Sequence, residues 1–165
     1  MDNLLEIYID ENKNKYTNLE LIIKPHCNHN CDYCYINHHG DELYPIEENN
    51  TVTILSNISE ILKYVFIIKK LPIYNITLFS GNLFEDNLLW SILTLIENFK
   101  IKGLNIYISL YPSFIKENYF IDLFEYYYNR FKKLGMNIII SISMDGRKVN
   151  TDRSYNYNDV IDFAE

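Results

Sequence analysis

The chain has 165 residues, is 48% hydrophobic and 15% aromatic, and carries a formal charge of −7. That length holds one domain with a core of its own, and the apolar content excludes a disordered chain. The acidic balance disfavours association with nucleic acid or anionic membranes through neutralised phosphates.

Taken in order, Leu4–Ile9 and Lys15–Thr17 flank the polar run Asp10–Asn14, a pattern that predicts a short N-terminal hairpin over residues 1–18. The start Met1-Asp2-Asn3 is acidic, so no secretory signal is visible, and no apolar run is expected to reach the length of a membrane span. These features predict an intracellular, cytoplasmic protein with reduced thiols. A first strand is expected at 19–24, ended by Pro25. Ile54, Leu55, Ile58, Ile61, Leu62 and Val65 recur at helical spacing and predict a helix from Thr51 to about Ile68.

Pro72 separates that helix from a second strand at Asn75–Phe79. Asp86 is a suitable N-cap for a helix running through Phe99, and Leu104–Leu110 reads as a third strand. A further helix opens at Pro112-Ser113 and stops near Leu134-Gly135, where the glycine suits a helix end. A fourth strand follows at Asn137–Ser143, and a helical pattern starts again at Asp159. The aromatics of 119–131 are expected to serve helix core and surface. No repeat or low-complexity linker is apparent.

Strands alternating with helices at this cadence predict an α/β fold of parallel βα units with right-handed crossovers. An eight-unit barrel needs about 250 residues, so four units take roughly half of that. The expected architecture is a partial (β/α) barrel over 19–165, preceded by the hairpin and cut off after the fourth strand.

All three cysteines fall in one loop after the first strand: Cys27-Asn28-His29-Asn30-Cys31-Asp32-Tyr33-Cys34-Tyr35. An odd count at short spacing does not suit disulfides, whereas three thiolates in a short loop suit a metal. Three thiolates can hold three irons of a cubane cluster and leave the fourth iron open. Zinc is the competing reading, with His26, His29, His38 or His39 as a fourth ligand.

The spacing C-x3-C-x2-C, with an aromatic residue before the third cysteine, resembles the cluster loop of the radical S-adenosylmethionine (SAM) enzymes. The longer string C-N-x-x-C-x-Y-C-Y resembles the branch of anaerobic sulfatase-maturing enzymes and SPASM-domain peptide modifiers. The resemblance implies a [4Fe–4S] cluster on Cys27, Cys31 and Cys34, with SAM chelating the open iron. It further implies oxidoreductase chemistry through a 5′-deoxyadenosyl radical, a one-electron reductant such as flavodoxin or ferredoxin, and a peptide or protein substrate.

By the same resemblance, Tyr33 packs beside the adenine. The segment Phe79-Ser80-Gly81-Asn82-Leu83 is similar to the family's G-G-E-P loop that holds the SAM amino group. Ser80, Gly81 and Asn82 then become cofactor contacts, with Asn82 replacing the glutamate. The segment Ser143-Met144-Asp145-Gly146 is similar to the S-L-D-G string of the branch, which implies Ser143 as a contact to SAM and Arg153 as a clamp on its carboxylate. The alternative is a non-catalytic domain that holds iron–sulfur or zinc. No Ser-His-Asp arrangement or phosphate-binding glycine loop is evident.

Overall fold

The computed structural model describes residues 17–23, 50–79, 83, 87–110 and 118–142. They form four strands, β1 (Asn18–Ile22), β2 (Asn75–Phe79), β3 (Asn105–Leu110) and β4 (Asn137–Ile142). Three α-helices alternate with them: α1 (Thr51–Leu62), α2 (Leu88–Glu97) and α3 (Asn118–Lys133). The strands make one parallel sheet in the order β1-β2-β3-β4, so every neighbour in space is the next strand in sequence. Right-handed crossovers between sequential parallel strands set all the helices on one face of the sheet. The packing agrees: α1 touches α2, and Trp90 of α2 stacks on Tyr127 of α3 at 5.4 Å and meets Phe120 at 5.7 Å.

Strand alternation decides which side chains enter the core. Leu21, Ile76, Leu78, Ile106, Ile108 and Ile138 point toward the helices and are buried. Ile54, Ile58 and Leu62 meet them from α1, and Leu89, Ile92, Leu93 and Ile96 from α2. The opposite sheet face carries Glu20, Ile22, Tyr107 and Ile139, all exposed.

Local chemistry sets the helix ends. Asn50 caps α1, its Oδ1 accepting from Thr53 N–H at 2.8 Å. The helix then passes into a π-helical stretch, Lys63–Ile68, where Lys69 N–H reaches back to Tyr64 O at 2.8 Å. The wider turn shifts the helical phase: Val65 stays buried while Ile67 and Ile68 face outward. Together Thr51–Ile68 is long and apolar enough to cross a membrane by length and composition, contrary to the expectation that no segment is. In the fold, its Ile54, Ile58, Leu62 and Val65 belong to the protein core.

At the end of α3, Gly135 adopts φ +73°, and Met136 N–H bonds Phe131 O at 2.9 Å, closing the helix with a left-handed glycine. A Cβ on Gly135 would sit 3.1 Å from Cγ of Lys102, a flexible side chain that can move aside. The left-handed backbone is the larger obstacle, so Gly135→Ala is expected to cost about 1–2 kcal/mol in a urea unfolding titration. A loss near zero would mean that the turn relaxes out of the left-handed region.

Several boundaries differ from expectation. β1 starts at Asn18, the last residue of the segment assigned to the hairpin; Thr17 lies outside any strand, and residues 1–16 of that segment lie outside the described residues. α2 starts at Leu88 rather than after an Asp86 cap, and its cap position is Asn87, in the left-handed region at φ 58°. α3 is described from Asn118, and the helix expected after Asp159 lies outside the described residues. The aromatics divide as expected, with Phe120 and Phe131 buried and Tyr119, Tyr126 and Tyr128 exposed.

Candidate functional site

In a sheet of parallel strands every strand ends on the same edge, and the loops that leave that edge are where such folds collect ligands. Here the edge is formed by Ile22, Phe79, Leu110 and Ile142. Ile22 pairs with Phe79, and Ile23 N–H extends the pairing to Phe79 O at 2.9 Å. Leu110 pairs with Ile142.

Each sequence-derived candidate follows one of these strand ends in the chain. Cys27, Cys31, Tyr33 and Cys34 come after β1; Ser80, Gly81 and Asn82 come directly after β2; Ser143 and Arg153 come after β4. The candidate residues themselves lie outside the described residues. Among the described residues, no three His, Cys, Asp or Glu side chains gather as a metal site. The segments with the cysteines and with Ser80–Asn82 leave neighbouring strands. The one that starts at Ser143 leaves two strands beyond β2, about 10 Å away at normal strand spacing.

Behind the β2 end, the structure is tied down. Leu83 is buried, and its carbonyl accepts from Leu89 N–H at 2.9 Å. Tyr119 Oη–H donates to Asn87 Oδ1 at 2.9 Å and accepts from Trp90 Nε1–H at 3.1 Å. Ser91 Oγ–H donates to Asn87 O at 3.2 Å. These bonds hold Asn87 in its left-handed conformation and join the start of α2 to the start of α3. Farther along the same helix pair, Glu97 accepts from Arg130 Nε at 2.7 Å and Nη2 at 2.8 Å, and Arg130 Nη1 also donates to Tyr126 Oη. The bonds to Glu97, and then to Tyr126, raise the guanidinium pKa above its ordinary value.

The open sheet face holds what the sequence reading missed. Asn18, Asn75, Asn105 and Asn137 stand in register across all four strands. Asn75 Nδ2 donates to Asn18 Oδ1 at 2.7 Å, Asn105 Nδ2 to Asn75 Oδ1 at 2.9 Å, and Asn137 Nδ2 to Asn105 Oδ1 at 2.9 Å. Two residues along, Glu20, Thr77, Tyr107 and Ile139 make a second row, and beyond it lie Ile22 and Phe79, then Ser109 and Ser141. The signal was present as a recurring tetrad that opens each strand: Asn18-Leu19-Glu20-Leu21, Asn75-Ile76-Thr77-Leu78, Asn105-Ile106-Tyr107-Ile108 and Asn137-Ile138-Ile139-Ile140.

Comparison with family models, with curated proteins and with solved structures finds no match to the chain.

Proposed function

We propose that this chain is a radical SAM core that binds a [4Fe–4S] cluster and SAM and acts on a peptide or protein side chain. The observation that carries this reading is the C-x3-C-x2-C loop directly after the first strand of a sequentially ordered parallel sheet. On this reading, the sheet is the first four strands of a partial (β/α) barrel. Cys27, Cys31 and Cys34 would hold the cluster, and SAM would be bound at its remaining iron. Bound there and given one electron by a flavodoxin- or ferredoxin-like partner, the cluster would cleave SAM to methionine and a 5′-deoxyadenosyl radical, which would supply the hydrogen-abstracting chemistry.

The chain's own residues bind and orient. By the family resemblance, Tyr33 would pack beside the adenine, Ser80 and Gly81 would offer backbone acceptors to the SAM ammonium, and Ser143 and Arg153 would address the ribose and carboxylate. The reducing cytoplasm is the compartment in which these thiolates stay available. Anaerobic reconstitution with iron and sulfide is expected to give a brown protein with about four irons per chain, as a cubane on three cysteines requires. Excess SAM is expected to change the electron paramagnetic resonance spectrum of the reduced cluster. An intact, reduced cluster whose spectrum ignores SAM would remove the enzymatic reading.

A second reading, a non-catalytic iron–sulfur or zinc domain, is favoured by Asn82 standing where the family has glutamate. Uptake of one zinc per chain with no cubane would select it. The two readings also differ over Asn82→Glu. A hydrogen bond to a charged group contributes about 1.5–3 kcal/mol, so restoring the carboxylate is expected to tighten SAM binding on the order of tenfold in anaerobic calorimetry. Exposure to solvent would reduce this to a few-fold gain. Flat or weaker affinity, with the cluster intact, would defeat the assignment of this loop.

A further inference from the structure

The formal charge of −7 is spread unevenly, and the edge where the strands begin runs against it. That edge is made by the turns joining α1 to β2, α2 to β3 and α3 to β4. The stretches 61–75, 98–105 and 126–137 contain these turns. They hold more than half of the chain's 15 Lys and Arg and none of its 22 Asp and Glu. Lys69, Lys70, Lys100, Lys102, Lys132 and Lys133 are all exposed, and among the described residues none of them pairs with a carboxylate. Lysine near a helix C-terminus complements the helix dipole, which accounts for part of this bias. It does not account for Lys70 and Lys100, which both adopt left-handed backbone at φ 49°, where glycine or asparagine would fit with less strain.

The three turns form one continuous surface. Phe66, near the end of the first helix, meets Phe99 beyond the end of α2 at 5.6 Å. Asn105 N–H donates to Tyr74 O at 2.8 Å, and Gly103 N–H donates to Gly135 O at 2.7 Å. The same surface exposes apolar side chains beside its lysines. Ile67 is 58% exposed, Ile68 67% and Tyr74 54%. The π-helical turn sets the two isoleucines outward immediately before Lys69-Lys70.

We infer that this edge docks on an anionic lipid bilayer. Ile67 and Ile68 enter the boundary between headgroups and acyl chains, and the six lysines meet the negative headgroups. Net charge disfavours such a surface for the chain as a whole, but attraction to a membrane acts within about 10 Å and is decided by the charges that face it. Nucleic acid would satisfy the lysines and leave the exposed isoleucine pair without a partner, whereas an anionic bilayer matches both. The acidic remainder of the chain then faces away from the lipid. The strand ends from which the cysteine loop departs lie on the opposite edge, about 15–20 Å along the strands, and so face solvent. The inference goes beyond the radical SAM reading and does not rest on it.

The test is sedimentation of the full 165-residue chain with vesicles of phosphatidylcholine alone, and with vesicles of phosphatidylcholine and phosphatidylserine mixed two to one. Binding to the anionic vesicles is expected to be about tenfold tighter or more, and to fall steeply as salt is added. Ile67→Ser combined with Ile68→Ser is expected to weaken it about tenfold and keep the salt dependence. Lys69→Glu combined with Lys102→Glu draws on two different turns and is expected to weaken binding about tenfold or more and flatten the salt dependence. All four side chains are exposed, so both double variants are expected to keep the circular dichroism of the parent. The lipid and salt dependence of the unaltered chain tests the inference without any variant. The inference is overturned by failure to sediment with the anionic vesicles, by equal binding to the neutral ones, by either folded double variant binding like the parent, or by a DNA duplex binding more tightly than the vesicles.

Discussion

Replacing any one of Cys27, Cys31 or Cys34 by alanine is expected to leave the reconstituted protein without a stable cubane. The chain has three cysteines in all, so no spare thiolate can take over the lost iron. The expected readout is loss of the broad visible absorption and a fall in bound iron from about four per chain, while far-ultraviolet circular dichroism stays close to that of the parent. The sheet and helices around the core contain no cysteine, which is why the fold should survive. A cubane retained at full occupancy in any single variant would remove that cysteine from the ligand set. A zinc site would behave differently, since histidines in the same loop could replace one thiolate and preserve partial binding.

The second large effect is on stability, and it separates the two faces of the sheet. Ile76 is completely buried at the centre of the core, so Ile76→Ala is expected to cost about 2–5 kcal/mol through lost burial and the cavity left behind. Against a typical domain stability of about 5–15 kcal/mol, such a loss would lower the urea midpoint severely. Ile139, 37% exposed on the other face, should cost about 1 kcal/mol or less when cut to alanine. Equal losses at the two positions would mean that both faces are covered in solution.

What sequence could disclose followed the range of the interaction responsible. Ile54, Ile58, Leu62 and Val65 repeat on one helical stripe, and that stripe alone located the full run from Thr51 to Ile68. The π-helical turn inside it left no comparable mark, because it depends on how Val65 and Phe66 meet the core and Phe99, 5.6 Å away. The start of α2 was misplaced by one residue for a similar reason. Asn87 is held by Tyr119 from a helix 32 residues away, which no local capping rule anticipates. The asparagines were visible one at a time, but their meaning required strand register. The cysteine loop is the reverse case: spacing and thiolate chemistry identify it, with its geometry outside the described residues.

The asparagine row has a direction. Each amide nitrogen points to the preceding strand and each oxygen to the following one, so the row behaves like a chain with a head and a tail. Among the described residues, the Asn18 nitrogen and the Asn137 oxygen are its two unjoined ends. In a sheet that curls toward a barrel, strands tilt and a row drawn through register partners climbs the wall as a spiral ramp. A ramp does not meet its own beginning after one circuit, so head and tail could not join even if the wall closed.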